Sequence, residues 1–246
     1  MINNKDLSNY CNNYLNVDNF ADYCPNGLQI EGKPEINKII AGVSANIDLI
    51  QRAIEESADA LIVHHGYFWK NENQSITGTK RNRIASLINN DINLFAYHLP
   101  LDAHPIVGNN YQLAKILKIN NPKPIKDTLV WVGEVDLTLQ SLSENITRKL
   151  QRKPMIFGDI NRNISRVCWC TGAAQDKIDV AIDFGADLFI SGEVSEQIPA
   201  IAKESGISFI SAGHHATERY GVQALGKHLS DKFDLDYYFI DIDNRV

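Results

Sequence analysis

From Lys38 to Val63 the chain reads KIIAGVSA, NIDLIQRAIEES, ADALIV: an apolar run, a stretch with Ile47, Ile50 and Ile54 on one helical face, and a second apolar run. Strand, helix and strand within about thirty residues make a βαβ unit, which requires a parallel sheet. The pattern returns as SRVCWC, DKIDVAIDFG and ADLFISGE. Laid over each other without gaps at an offset of 128, Ile39–Val63 and Val167–Ser191 agree at eight of 25 positions, among them Ala45/Ala173, Asp59/Asp187 and Ile62/Ile190. Unrelated segments would share on the order of one or two, so we read an internal duplication. The plainer alternative is that any two βα units place Ala and Ile where helix meets sheet. After a shorter loop the overlay continues at an offset of 116, with INLFAYHLPLD on SFISAGHHATE, which puts His98 on His214 and Asp102 on Glu218.

The expected fold class is therefore α/β: two related halves, residues 1–126 and 127–246, with mixed, largely parallel sheets and a ligand site between them. The Pro- and Lys-rich PKPIKD, Pro122–Asp127, is the expected linker. Leu7, Tyr10, Cys11, Tyr14 and Leu15 follow helical spacing. SLSENITRKLQRK opens with a capping box from Ser141 to Glu144 and reads as a helix.

Composition excludes several function classes. The net charge is -6, so no broad basic field is available for nucleic acid or an anionic membrane, and only a locally basic groove is left open. MINNKDLSNY lacks the apolar core of a signal peptide, and no apolar run approaches the ~18 residues of a membrane span; a cytoplasmic protein is expected. Cys11, Cys24, Cys168 and Cys170 form no C-x-x-C pair. Cys168 and Cys170, two apart in an apolar run, read as small core residues on one face of a strand.

Chemistry concentrates at strand ends. Of seven histidines, five (His64, His65, His98, His214 and His215) fall at expected C-terminal ends of strands, with Asp102, Glu193 and Glu218 close by. Open α/β sheets bind ligands at that edge. Imidazole with carboxylate suits Zn, Mn, Fe, Co or Ni. His214 and Glu218 are four apart across the first turn of a helix and can face one point. Pro100 pushes Leu99 extended, so His98 and Asp102 converge only through a turn, and Asp102 is the stronger ligand candidate of the two. Adjacent His64 and His65 point to opposite faces of a regular strand and share a site only where the strand ends, at Gly66. One ion rarely needs both; two ions with a bridging carboxylate could use one each. Glu193 overlays His65, and three roles fit it: outer ligand, a residue that orients a ligand, or general base. His104, in a Pro-bounded loop, and His228, in a polar helix, read as ordinary.

The blocks NGLQIEG, LIVHHGYFW, YHLPLDAH, GNNYQLA, DLFISGE and AGHHATERYG resemble the signatures of the Nif-three-like dinuclear metal-centre family, in its short bacterial YbgI type. Members carry the label GTP cyclohydrolase 1 type 2 homologue. The resemblance spans nearly the whole chain. It implies two α/β halves with two divalent metals between them, held by His64 and His65 from VHHG, Asp102 from HLPLD, and His214 and Glu218 from HHATE. It also implies a ring-shaped homohexamer with the metal sites facing an inner cavity.

The first expectation is a metal-dependent hydrolase acting on a nucleotide, phosphoester or cyclic amide through a metal-bound hydroxide. His98 or Glu193 would move protons. Tyr67, Phe68 and Trp69 either wall the site or simply pack under its loop. The second expectation, opening of the guanine ring of GTP, rests on the family label, since neither G-x-x-x-x-G-K-[ST] nor G-x-G-x-x-G occurs. The third is a non-enzymatic metal-binding or scaffold protein that meets proteins or nucleic acid. Spacing leaves open which of these holds, the substrate, and which metal is bound.

Overall fold

The computed structural model describes residues Met1–Val246. The chain divides into two compact units: Met1–Gly108 with Gly221–Asp243, and Asn109–Tyr220 with Asn244–Val246. Each unit is discontinuous in sequence, which differs from a single cut after residue 126. PKPIKD is not a bare linker, because Asn120–Pro124 pairs antiparallel along the edge of the second unit's sheet. Prolines are tolerated there, where a missing N–H costs no ladder bond.

In the first unit, β1 (Ile2–Asn3) and β3 (Glu35–Ile36) form a small antiparallel pair. The main sheet is built from β2 (Gly27–Ile30), β4 (Lys38–Ser44), β5 (Ala60–His65), β6 (Asn93–Ala96) and the last strand, β13 (Asp236–Phe239). Its order is β13-β4-β5-β6-β2, all neighbours parallel except β6 with β2. Both faces are covered, which is why these strands read as continuous apolar runs. Ile39, Ala41, Ile62, Phe95 and Tyr97 pack with Leu7 and Cys11 of the helix Asn4–Tyr14, with Leu15 that follows it, and with Val222, Leu225 and Leu229. Ile40, Leu61, Val63 and Leu94 face Leu49, Ile50 and Ala53 of the helix Ile47–Glu55, and Ile84 and Leu87 of the helix Gly78–Asn89.

The second unit contains β7 (Asn120–Pro124), β8 (Trp131–Thr138), β9 (Met155–Phe157), β10 (Asn163–Trp169), β11 (Leu188–Ser191) and β12 (Ser208–Ser211). The order is β7-β8-β10-β11-β12-β9, with β10, β11 and β12 parallel and the outer pairings antiparallel. Alternate residues serve opposite faces, as the period of a strand requires. Val167, Trp169, Leu188 and Ile190 join one core cluster, while Cys168, Cys170, Phe189 and Phe209 join the other. The two cysteines are buried free thiols in the core. The helix Leu139–Leu150 begins earlier than the capping box suggests: Thr138, not Ser141, is its cap, and accepts from the Ser141 N–H.

Both units carry the same three-strand parallel motif in the same register. Ile39 pairs with Ala60, and Val167 with Leu188, each 128 residues on. Asp59 accepts the N–H groups of Asn37 and Lys38, and Asp187 those of Ser165 and Arg166. The third strand corrects the overlay by one residue. Asn93 N–H donates to Asp59 O and Tyr97 N–H to Val63 O; Ser208 and Ala212 make the matching bonds to Asp187 O and Ser191 O. The offset there is 115, not 116, so His98 falls on Gly213 and not on His214. None of the helices is long and apolar enough to cross a membrane.

Candidate metal centre

In the first unit, β5 ends on His64 and His65, the latter paired with Ser44 at the end of β4. His98 follows β6 by two residues and precedes the short helix Leu99–Ala103, whose first turn carries Pro100 and Asp102. The turn closes by Asp102 N–H donating to His98 O at 3.1 Å. The donor atoms of His64, His65 and His98 lie within 4.8 Å of one another. Their rings sit close together, with centroids 4.6 Å apart for His64 and His65 and 5.1 Å for His64 and His98.

Each ring is held from behind by an oxygen. His64 is fully buried, and its Nδ1 lies 2.9 Å from the Tyr97 carbonyl oxygen. A carbonyl can only accept, so Nδ1 carries a proton and Nε2 is the ring nitrogen left to face the strand end. That Nε2 is 3.5 Å from Asp102 Oδ1. His65 Nδ1 meets Ser44 Oγ at 3.1 Å. His98 Nδ1 is 2.7 Å from Asp22 Oδ1. Burial pushes the Asp22 carboxyl up, but hydrogen bonds from His98 and Asn26, the His98 charge and the Tyr23 N–H together bring it down to about 2. It is thus a carboxylate, and also accepts from the Leu99 N–H at 2.9 Å. Asn26 accepts the His98 N–H at 2.7 Å.

The helix His214–Phe233 starts in the second unit, after β12, Ala212 and Gly213, and its residues from Gly221 on belong to the first. His214 stands between two carboxylates: Nδ1 is 2.6 Å from Glu193 Oε1 and Nε2 is 3.0 Å from Glu218 Oε2. Burial lowers the His214 pKa, yet Glu218 and then Glu193 override it and push the imidazole up to about 9. Glu218 is only 2% exposed. It lies on Gly172, whose φ of +69° and lack of a Cβ leave room for the carboxylate. Thr217 Oγ1 accepts the Gly172 N–H at 3.1 Å and donates to His214 O at 2.9 Å, tying the helix start to that glycine.

The arrangement fits divalent metal by the chemistry of its donors. Ligand histidines are oriented by a partner on the second ring nitrogen. Here an oxygen lies at Nδ1 of His64, His65, His98 and His214 alike. Glu193 meets His214 as an orienting group does. Asp22 and Asn26 escaped sequence reasoning: they stand 76 and 72 residues from His98, and no local spacing marks them. His104 and His228 are structural. His104 Nδ1 accepts the Ile106 and Val107 N–H groups, and the His228 ring stacks on Tyr14 at 4.3 Å.

Comparisons with known proteins identify the family to which the chain belongs. The profile of the family described as Duf34/NIF3 (NGG1p interacting factor 3) matches residues 2–245. The GTP cyclohydrolase 1 type 2 homolog of Haemophilus influenzae is 50% identical over 249 residues, covering 99% of each chain. That of Escherichia coli K12 is 49% identical over 244 residues, covering 98% of each. Among solved structures, protein ybgI, described as of unknown function, superposes with a TM-score of 0.96 at 48% identity over 100% of both chains. TTHA1606 from Thermus thermophilus gives 0.91 at 34% identity, again over 100% of both. On a match that runs almost from end to end, the chain belongs to the Duf34/NIF3 family.

Proposed function

We propose that this chain is a divalent-metal hydrolase that binds two ions. Its ligands are His64, His65 and Asp102 in the first unit and His214 and Glu218 in the second. The observation that carries the reading is the common pattern of an oxygen at the Nδ1 of four strand-end histidines, His64, His65, His98 and His214. A bound divalent ion polarises a carbonyl or phosphoryl oxygen and makes a water acidic at neutral pH. The chain's own residues do the remaining work. Tyr97, Ser44 and Glu193 fix ring orientation. His98, held by Asp22, and Glu193 are the groups placed to hold or move a proton. The substrate is a nucleotide, a phosphoester or a cyclic amide. GTP ring opening is kept as a second reading because the relatives carry that name. The assembly is a homohexamer, read out by mass in solution.

The test is metal content followed by turnover. Reloaded protein is expected to hold two ions per chain, and His64→Ala and Glu218→Ala each to lose metal while keeping the far-ultraviolet spectrum of the parent. Full metal content in either variant removes that residue from the ligand set. Zn, Mn, Fe, Co and Ni forms are then screened against phosphoesters, nucleotides including GTP, and cyclic amides. Absence of turnover at every loading overturns the hydrolase and leaves a metal-binding protein.

A further inference from the structure

Beyond the histidines, the loop after β5 holds a residue in a conformation that its chemistry disfavours. Phe68 has a φ of +66°. For a bulky aromatic this is a true outlier, kept only where the surroundings impose it. The surroundings do so from several directions. Glu72 Oε2 accepts the Phe68 and Trp69 N–H groups at 3.2 and 3.3 Å. Lys80, nearly buried, meets the same oxygen at 3.3 Å and lies over the Phe68 ring at 5.1 Å. On one side of the kink, Gln29 brackets Tyr67 through its N–H and its carbonyl, and the Tyr67 hydroxyl donates to Ala45 O. On the other, Lys70 N–H donates to Tyr23 O at 2.7 Å.

The outcome is the position of one side chain. The Trp69 indole stands 5.0 Å from the His98 ring, nearly perpendicular at 86°, and 5.9 Å from His65. It is only half-buried. A plain packing residue needs no strained neighbour and no partly buried ion pair to hold it beside two imidazoles. Resting on the metal-site reading above, we propose that Trp69 is the face on which a planar unsaturated ring of the substrate stacks, and that Glu72 and Lys80 are positioning residues that aim it. This narrows the substrate class to nucleobases and ring amides, and away from aliphatic phosphoesters.

The probes are 5′-GMP, which carries a planar ring, and ribose 5-phosphate, which does not. Emission from Trp69 is separable, because Trp131 and Trp169 are buried in the second unit's core and Trp69→Phe gives their spectrum alone. GMP is expected to quench the Trp69 component, and ribose 5-phosphate to leave it unchanged. Trp69→Ala should weaken GMP binding about tenfold, within the range of base–aromatic stacking, and Trp69→Phe should recover most of it. Glu72→Gln should shift the Trp69 emission and weaken GMP binding with metal content unchanged. Equal GMP affinity for parent and Trp69→Ala overturns the proposal, as does equal quenching by both probes or no GMP binding to the parent. Loss of metal by Trp69→Ala overturns it too, since the indole would then support the ligands. Titrations repeated on metal-free protein separate this outcome from failure of the metal reading itself.

Discussion

At the scale of single residues, Gly172 is the sharpest constraint on the second unit's carboxylate. A Cβ there would run into the Glu218 carboxylate and come within 3.3 Å of His214 Nε2. Its backbone is also left-handed, at φ +69°. Gly206 supplies a natural control, with φ +74° and nothing within 4 Å of where a methyl would sit. Both Gly→Ala changes should cost about 1 kcal/mol from backbone strain alone. Only Gly172→Ala should also displace Glu218 and lower metal content. Thermal melts with metal analysis on the two variants decide it; equal metal retention would mean that Glu218 has room to move without losing its role. The contrast shows why a glycine at a site cannot be read from sequence alone. SGI and TGA look alike as letters, and only what stands opposite gives each glycine its meaning.

At the scale of elements, helix starts and strand registers carry the test. The helix Leu139–Leu150 has Thr138 as cap, with its Oγ1 3.2 Å from the Ser141 nitrogen. Thr138→Ala should therefore cost about 1 kcal/mol, and Ser141→Ala much less, by urea unfolding. The reverse order would restore the capping box that sequence suggests. The misreading has a physical source: Thr and Ser are both good caps, and Leu139 alone does not say which precedes the first turn. Elsewhere, periodicity served well. The βαβ units, their buried strands and the burial of Cys168 and Cys170 follow from apolar runs, because burial on both faces leaves no other pattern. The strand-end histidines and the i, i+4 pair His214–Glu218 were equally legible, since their geometry is local. What was not legible depends on partners far along the chain. Asp22 reaching His98 is one case; the one-residue slip in the third strand is another, because an overlay of letters prefers matching histidines to matching ladders. The Asp59 and Asp187 brackets show the likeness of the two motifs more directly than identities of letters do. Each carboxylate accepts two consecutive N–H groups, at positions 128 apart.

At the scale of the whole molecule, folding and metal uptake compete for one proton. The chain is acidic overall, at net charge -6, yet the effect at His214 comes from two carboxylates in contact with it. Burial opposes its charge, and Glu218 and Glu193 prevail, so the folded metal-free chain holds that proton up to about pH 9. An unfolded chain releases it near 6.5. A group whose pKa is raised on folding stabilises fully below its unfolded value and stops doing so as pH climbs through the folded one. Metal-free protein should therefore lose stability between about pH 6.5 and 9. A metal on Nε2 requires that same proton to leave, so its affinity should rise about tenfold per pH unit across the window. Since a ligand that binds only the folded state stabilises in proportion to the logarithm of its affinity, the gap in Tm between loaded and metal-free protein should widen steadily over that range. Glu193→Gln removes one of the two charges that hold the proton, and should move the widening to lower pH. Melts at fixed free metal from pH 6 to 9 measure both. A gap that stays flat in the parent would mean that His214 gives up no proton to the metal, and would take His214 out of the ligand set.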